Sequence, residues 1–341
     1  MRPLLALLAL VSFTTAEEPP KAALTQKEID QGNLQLFDGE STFGWKVAGE
    51  SSVKDGVWTL GGEKATTATY LIPLPTKNFM IGARVIGNKN ITIYGSPNKD
   101  APSIMPLIPT DDFITVGAGG LDILTQFHIV IPEGSKLQIR RFVYLNFSKP
   151  HQLFNGKDLT GWKVHDEPKK NLSKFDVTPE GELRVVNGPG DLQTTGKYAD
   201  FLLQFQCKTN GEGLNSGIFF RCIEGQYQNG YECQIQNAMV DNDPAKPKDF
   251  GTGAIYRRTP ARKIVAKDKE WFSVTLVAHG DQFASWVNGF PVMQWKDERP
   301  ADDNPRKGLR KAAGHLSIQG HDPTTDILFR KLSIVEFPAA K

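Results

Sequence analysis

The stretch NSGIFFRCIEGQYQNGYECQIQNA, residues 215–238, predicts two short β-strands joined by a glycine-containing turn. Successive side chains of a strand point to opposite faces, so the apolar residues of the second strand define the face that enters a core. Those residues are Tyr231, Cys233 and Ile235. The opposite face then carries Glu232, Gln234 and Gln236. A row of polar groups on one face of a sheet requires an explanation.

The same alternation extends this face over neighbouring strand-like segments such as GAIYRR and HLSIQGHD. The predicted polar face consists of Asn215, Phe219, Arg221, Glu232, Gln234, Gln236, Tyr256, Ser317, Gln319 and His321. Amides, charged groups and aromatic rings together are the mixture that carbohydrate sites use. Taken singly, each polar residue could equally be solvated surface, and Arg221 with Glu232 could be only a cross-strand ion pair.

An internal repeat predicts the domain organisation. LQLFDGESTFGWKVAGE at 34–50 is echoed by HQLFNGKDLTGWKVHDE at 151–167. Short alternating segments with Gly, Asn and Pro turns follow each copy, and WVNGF predicts a hairpin with an Asn-Gly turn. We therefore expect an all-β chain with an antiparallel β-sandwich or jelly roll in each half, a reduced accessory copy at 34–148 and a fuller one at 151–338. Thr25 and Glu28 predict a capping box before a short helix.

The N-terminus MRPLLALLALVSFTTAEEPP is typical of a secretory signal peptide, with one positive charge, a short apolar run and the small residue Ala16. The run is too short for an ordinary membrane span, although an uncleaved anchor is the alternative. We expect a signal at residues 1–16, a short segment at 17–33 and a mature protein that begins near Glu17. The protein is then secreted or periplasmic, with no membrane span after cleavage.

Composition excludes some partners. Lys plus Arg is 40 and Asp plus Glu is 38, with no basic run interleaved with aromatics, so nucleic acid is not expected as a partner. The three cysteines, Cys207, Cys222 and Cys233, share strand faces with apolar residues, which favours buried thiols over a disulfide. Their odd number and the absence of CxxC spacing argue against zinc.

The second half resembles the 3-keto-disaccharide hydrolase domain family over about 152–337, through LFNGKDLTGWKV, GLNSGIFFR, GYECQIQN, GTGAIYRR and LSIQGHD. The resemblance implies a concanavalin A-like jelly-roll sandwich, and the opening of the first half resembles the same module. The chain departs from the family pattern at two places: Asn237 stands where the family tends to have Asp, and QGHD, which ends at Asp322, stands where the family has a QDHG-like segment.

The resemblance also implies an enzyme that cleaves 3-keto-glycosides. A ketone at C3 acidifies the C2 proton, so one base can remove it while the C1 oxygen leaves, and water then adds. In this interpretation Glu232 is the base, Arg221 stabilises the enolate and His321 is the acid, with the roles of Glu232 and His321 exchangeable. The remaining residues of the face bind substrate: Asn215, Phe219, Gln234, Gln236, Tyr256 and Gln319.

Two alternatives remain open at this point. The chain could be a non-catalytic carbohydrate-binding module. It could also be a glucanase-like hydrolase with two carboxyl groups, if a loop supplied Asp241 or Asp243 beside Glu232, which alternation leaves as the one carboxylate of the face. No cofactor is predicted; a structural calcium ion is compatible with such a sandwich, but no dense Asp cluster indicates its site.

Overall fold

The structure, a computed structural model, describes residues 23–337 apart from positions 73, 76–77, 97–102, 108, 110–113, 120–123 and 146–148. The predicted signal at 1–16 lies outside the described residues. The helix α1, Gln26–Asp30, begins with the predicted capping box, in which Thr25 and Glu28 each accept a hydrogen bond from the other's backbone amide. Among the described residues, no helix is long and apolar enough to cross a membrane.

The first half forms two antiparallel sheets over its described residues. Its strands are β1 Leu34–Gln35, β2 Trp45–Ala48, β3 Ser51–Lys54, β4 Val57–Leu60, β5 Thr66–Tyr70, β6 Leu74–Pro75, β7 Asn78–Ile86, β8 Ile91–Ser96, β9 Ser103–Leu107, β10 Ile114–Gly119, β11 Leu124–Ile131 and β12 Lys136–Tyr144. One sheet has the order β10-β7-β12-β4-β3, with β1 also on β12. The other has the order β2-β5-β11-β8-β9, with β6 also on β11. We call this unit the first sandwich.

The second half forms an eight-stranded and a five-stranded antiparallel sheet. Its strands are β13 His151–Gln152, β14 Trp162–Val164, β15 Lys174–Val177, β16 Leu183–Val186, β17 Gly190–Thr194, β18 Phe201–Thr209, β19 Ser216–Cys222, β20 Tyr231–Ile235, β21 Phe272–His279, β22 Gln282–Val287, β23 Phe290–Lys296, β24 His315–Gly320 and β25 Asp326–Glu336. Short 3₁₀ turns span Val240–Asn242 and Lys248–Phe250. The larger sheet has the order β15-β16-β25-β18-β21-β22-β23, with β13 on β25, and the smaller has the order β14-β17-β24-β19-β20. We call this unit the second sandwich.

The all-β prediction is confirmed, and the predicted hairpin joins β22 and β23 through Asn288 and Gly289. The core of the second sandwich lies between its two sheets, where Leu192, Ile218 and Ile318 of the smaller sheet meet the larger one. Side chains that alternate with these three leave the core on the far side of the smaller sheet. The thiols of the three cysteines are free and buried.

The two sandwiches share a strand order. The order β10-β7-β12-β4-β3 corresponds to β21-β18-β25-β16-β15, and β2-β5-β11-β8-β9 corresponds to β14-β17-β24-β19-β20. The repeated motif also folds alike: the indole of Trp45 donates to the carbonyl of Leu36 as that of Trp162 donates to Leu153. On this basis we propose that the first sandwich is a reduced copy of the second, with no counterpart of the β22–β23 hairpin among its described residues.

Candidate functional site

The outward side of the five-stranded sheet carries a compact set of polar residues, which we call the observed polar face. One row across the strands is Gln193, Ser317, Phe219 and Glu232. The next row contains the pairs Asp191 with Gln319 and Gly217 with Gln234. The side chains of both rows are buried, so this face is recessed beneath loops rather than open to bulk water.

Glu232 lies on β20, the edge strand of this sheet, between two residues of the core. Its side chain extends over Gly217, where an added Cβ would lie 2.7 Å from Oε1. Burial first, and then the negative charge of Asp249, raise the pKa of Glu232 to about 8, against the positive charges of Arg306 and Arg257. A buried carboxyl group with such a pKa, among charged partners, is typical of functional sites.

Asp249 reaches the face from the segment 248–264, which we call the site loop. Its carboxylate accepts hydrogen bonds from Asn215 Nδ2 at 2.8 Å and from Gln234 Nε2 at 3.2 Å. Asp249 and Phe250 both have positive φ, 49° and 70°, a conformation that costs energy in residues other than glycine. The loop is held to the sheet because the amide of Tyr256 donates to the carbonyl of Glu232 at 2.9 Å.

Asp191 is a second buried carboxyl group of the face, on β17. Oδ2 accepts from Gln193 Nε2 at 2.8 Å and from the amide of Gln228 at 3.2 Å. Burial raises the pKa of Asp191 to about 6. Gln319 donates to the side chain of the same Gln228, at 3.1 Å, so the turn that contains Gln228 covers this end of the face.

Several buried oxygens of the face have no hydrogen-bond partner among the described residues: Asp191 Oδ1, Asn215 Oδ1, Gln234 Oε1, Ser317 Oγ and Gln319 Oε1. Four of them only accept hydrogen bonds, because they are carboxylate or amide oxygens. Buried polar atoms without partners are costly and in native proteins are usually satisfied by water or a ligand. The face therefore suits a ligand that donates several hydrogen bonds, as a polyhydroxylated sugar does.

A family model described as the 3-keto-alpha-glucoside-1,2-lyase-like domain matches residues 149–335. The chain belongs to this family. No curated protein matches the chain. Membership of the 3-keto-alpha-glucoside-1,2-lyase-like family indicates a carbohydrate-related function, either glycosyl hydrolase-like or carbohydrate-binding. The matched residues contain every residue of the observed polar face.

Solved structures similar to this family member include two candidate glycosyl hydrolases from Parabacteroides distasonis ATCC 8503. One is 23% identical, with 55% of this chain and 93% of that chain covered and a TM-score of 0.44. The other is 24% identical, with 56% and 100% covered and a TM-score of 0.44. The family 66 carbohydrate-binding module of Bacillus subtilis is 16% identical, with 52% and 96% covered and a TM-score of 0.36.

Arg221 does not lie on the observed polar face of this 3-keto-alpha-glucoside-1,2-lyase-like domain, so its predicted position is wrong. A β-bulge between Phe219 and Cys222 breaks the alternation, and Arg221 has a φ of 51°. Its fully buried guanidinium forms an ion pair with Asp200 at 3.0 Å and lies 5.2 Å from the ring of Phe283. It also donates to three backbone carbonyls, those of Ala199, Gly280 and Arg310. Arg221 is a structural residue, and the positive charges that act on Glu232 come from Arg306 and Arg257.

His321 is also misplaced by simple alternation, because it follows the end of β24. Its ring is exposed, and Nδ1 lies 2.6 Å from the carboxylate of Asp322. Glu232 is level with Ser317 across the sheet, and His321 lies four residues beyond Ser317. The structure therefore does not bring His321 together with Glu232.

The other predicted residues lie on the face or at its edge. Phe219 is a buried ring between Ser317 and Glu232, and Tyr256 is half-buried in the site loop, 5.3 Å from the ring of Phe250. Gln236 is held at both ends by backbone, since it donates to Gly213 and accepts from Ala238. The side chain of Asn237 donates a hydrogen bond to Asp268 and accepts one from the hydroxyl of Thr252, so its role is structural.

The prediction of a single carboxylate on the face is wrong. Asp249 and Asp191 join Glu232, whereas Asp241 and Asp243 are solvent-exposed acids near Lys246. Asp191 could have been found, because it alternates with the core residue Leu192. No local pattern indicates Asp249, since a loop that follows β20 and pairs back along it places it there.

Proposed function

We propose that the second sandwich cleaves 3-keto-glycosides by elimination followed by hydration. The observation that carries this proposal is Glu232: a recessed carboxyl group with a pKa of about 8, surrounded by amide oxygens that lack partners. Family membership supplies the substrate class, because the model is described as 3-keto-alpha-glucoside-1,2-lyase-like.

In the proposed reaction, ionised Glu232 removes the C2 proton, and the electron pair forms the enolate of the C3 ketone. Arg257 and Arg306 supply positive charge near this site in place of Arg221. The C1–oxygen bond then breaks, and the leaving oxygen takes a proton from water. The resulting hydroxide adds at C1, Glu232 returns a proton to C2, and the net reaction consumes one water.

The test compares a 3-keto-glucoside with its unoxidised parent. We expect cleavage of the keto-glucoside alone, and a fall in kcat of about 10²–10⁴-fold in Glu232→Gln, the usual range for loss of a general base. Glu298→Gln is the matched control, because Glu298 is an exposed acid of the same sandwich.

Since the carboxyl proton exchanges with solvent, the product formed in D₂O should carry deuterium at C2. Because ionised Glu232 is the base, kcat/KM should rise with pH and level off above about 8.

The proximity of Asp249 to Glu232 favours a second candidate, hydrolysis by two carboxyl groups with neutral Glu232 as the acid. This mechanism predicts cleavage of the unoxidised glycoside, no deuterium at C2, activity that falls above about pH 8, and loss of activity in Asp249→Asn. No cleavage of either sugar, with binding retained in Glu232→Gln, would instead support a carbohydrate-binding module.

We also propose that the protein is exported, on the form of residues 1–16. N-terminal sequencing of the protein from its native source should find a start near Glu17. Soluble protein that retains Met1 would reject this proposal.

A further inference from the structure

We infer that the first sandwich positions the site loop through a clasp between Asp38 and Arg262. Arg262 belongs to the site loop, and its guanidinium donates to the carboxylate of Asp38 at 2.5 Å. It lies between two aromatic rings, 4.5 Å from Phe43 of the first sandwich and 4.6 Å from Phe290 of the second. The clasp is thus an ion pair stacked between rings of both sandwiches, a geometry that suits arginine.

The repeated motif carries a sequence difference that matches this contact. The first copy reads LFDGE and the second LFNGK, so Asp38 and Glu40 stand where the second copy has Asn155 and Lys157. Asp38 and Asn155 make the same turn, since each side chain accepts from the amides two and three residues further along the chain. The turn therefore does not require an acid. The acids face Arg262 and Lys263, which makes the first copy complementary in charge to the site loop.

The clasp is connected to Glu232 by short contacts within the loop. Ala261, next to Arg262, donates its amide to the carbonyl of Phe250 at 2.9 Å. Phe250 directly follows Asp249, whose charge acts on Glu232 and whose carboxylate orients Gln234. Arg262 itself is fixed to the β23 edge by its amide, which donates to Val292. The guanidinium also donates from Nε to the carbonyl of Pro291, so Asp38 supplies the anchor to the first sandwich. We expect its loss to loosen the segment that holds Asp249.

The test uses the full-length chain with Asp38→Asn, Arg262→Gln, the double variant and Glu40→Gln. Glu40→Gln is the matched control, because the Glu40–Lys263 pair bridges the same two segments but is exposed. We expect Asp38→Asn and Arg262→Gln each to lower kcat on a 3-keto-glucoside about tenfold, because small displacements of catalytic groups are costly. The double variant should lose no more than either single one, since the two side chains act as a pair. The control should stay within about twofold of wild type, as exposed ion pairs contribute little.

The kinetic part rests on the proposed function, so a second measurement is independent of any substrate. The Glu232 carboxyl can be titrated by NMR of ¹³C-labelled glutamate and assigned by its absence in Glu232→Gln. Among the groups that face Glu232, Asp249 raises its pKa while Arg257 and Arg306 lower it. Displacement of Asp249 should therefore lower the pKa of Glu232 in Asp38→Asn and Arg262→Gln but not in the control.

The outcomes separate the two proposals. Variants that lose thermal stability but keep the wild-type kcat and Glu232 titration would overturn the clasp as a positioning device and leave it a purely structural contact. If the pKa of Glu232 shifts in Asp38→Asn and Arg262→Gln, but the wild-type protein cleaves no keto-glycoside, the proposed reaction is overturned and this inference stands.

Discussion

The raised pKa of Glu232 makes the stability of the folded protein depend on pH. This pKa is about 8 in the fold against an ordinary value of 4.5, so the folded state holds a proton that the unfolded chain releases between these values. The contribution of Glu232 to the free energy of unfolding should therefore be most favourable below pH 4.5. It should fall by about 1.4 kcal/mol per pH unit between pH 4.5 and about 8, and level off above that.

Glu232→Gln removes this titration and keeps the shape of the side chain. We expect the variant to be more stable than wild type by a few kcal/mol at pH 8.5, with the difference shrinking as the pH falls towards 5. Denaturant unfolding at a series of pH values measures it. A difference independent of pH would show that Glu232 titrates normally in the fold, and the proposed base would lose its main support.

Arg221, unlike Glu232, is a buried charged residue that stabilises the folded protein. Its guanidinium is fully buried with Asp200 and three carbonyls, so removal of the side chain would leave a buried carboxylate without its cation. We expect Arg221→Met to destabilise the protein by about 3–5 kcal/mol. Arg184→Met, which breaks the partly exposed pair with Asp326, should cost about 1 kcal/mol or less. A stable Arg221→Met protein with selectively lost catalysis would return Arg221 to the reaction.

At the scale of single strands, Gly217 leaves the space that the Glu232 side chain occupies. An added Cβ would lie 2.7 Å from Oε1 and 2.9 Å from Cγ of Glu232, closer than such atoms can approach. Because the carboxylate is the flexible end of its side chain, Gly217→Ala should displace it without unfolding β19. We expect kcat to fall at least about tenfold. Gly82→Ala is the control, since its nearest neighbour would lie at an ordinary 3.5 Å. Unchanged activity in Gly217→Ala would mean that the carboxylate acts from another position.

Strand periodicity explains which parts of the site the sequence could predict. Alternation places Glu232, Gln234 and Gln319 on one face because β20 and β24 are regular and their apolar neighbours fill the core. It fails for Arg221, where a bulge rotates the chain, and for His321, beyond the strand end. Bulges and strand ends leave no clear signal in a single sequence.

The fold was more predictable than the site because the repeat and the turns are local signals. The Asn288-Gly289 turn and the capping box at Thr25 depend on neighbouring residues alone. Asp249 depends on a loop that returns across the sheet edge, and the pKa of Glu232 depends on burial by distant segments. Such long-range contacts follow from the assembled fold and not from any short pattern.

At the scale of the whole molecule, the first sandwich covers the outer face of the eight-stranded sheet. Leu202, Val277, Ala284 and Trp286 point away from the core of the second sandwich and join the apolar cluster of the first. The indole of Trp286 also donates to the carbonyl of Gln35 at 2.8 Å. The larger sheet is therefore buried on its outer face where β18, β21 and β22 meet the first sandwich, and its inner face packs on the sheet that carries Glu232.

This arrangement predicts that residues 149–337 alone should be poorly soluble, although the family match at 149–335 lies entirely within them. Without the first sandwich, the outer apolar residues would form a contiguous exposed patch, which promotes association. We expect the truncated protein to aggregate in size-exclusion chromatography. Val277→Thr with Trp286→Gln should reduce the aggregation, because these side chains lie outside the second core. If instead the truncated protein were monomeric and as stable as the full chain, the apolar contact between the sandwiches would contribute little. The first sandwich would then act on the site through the clasp alone, and kcat in the truncated protein should match that of Asp38→Asn.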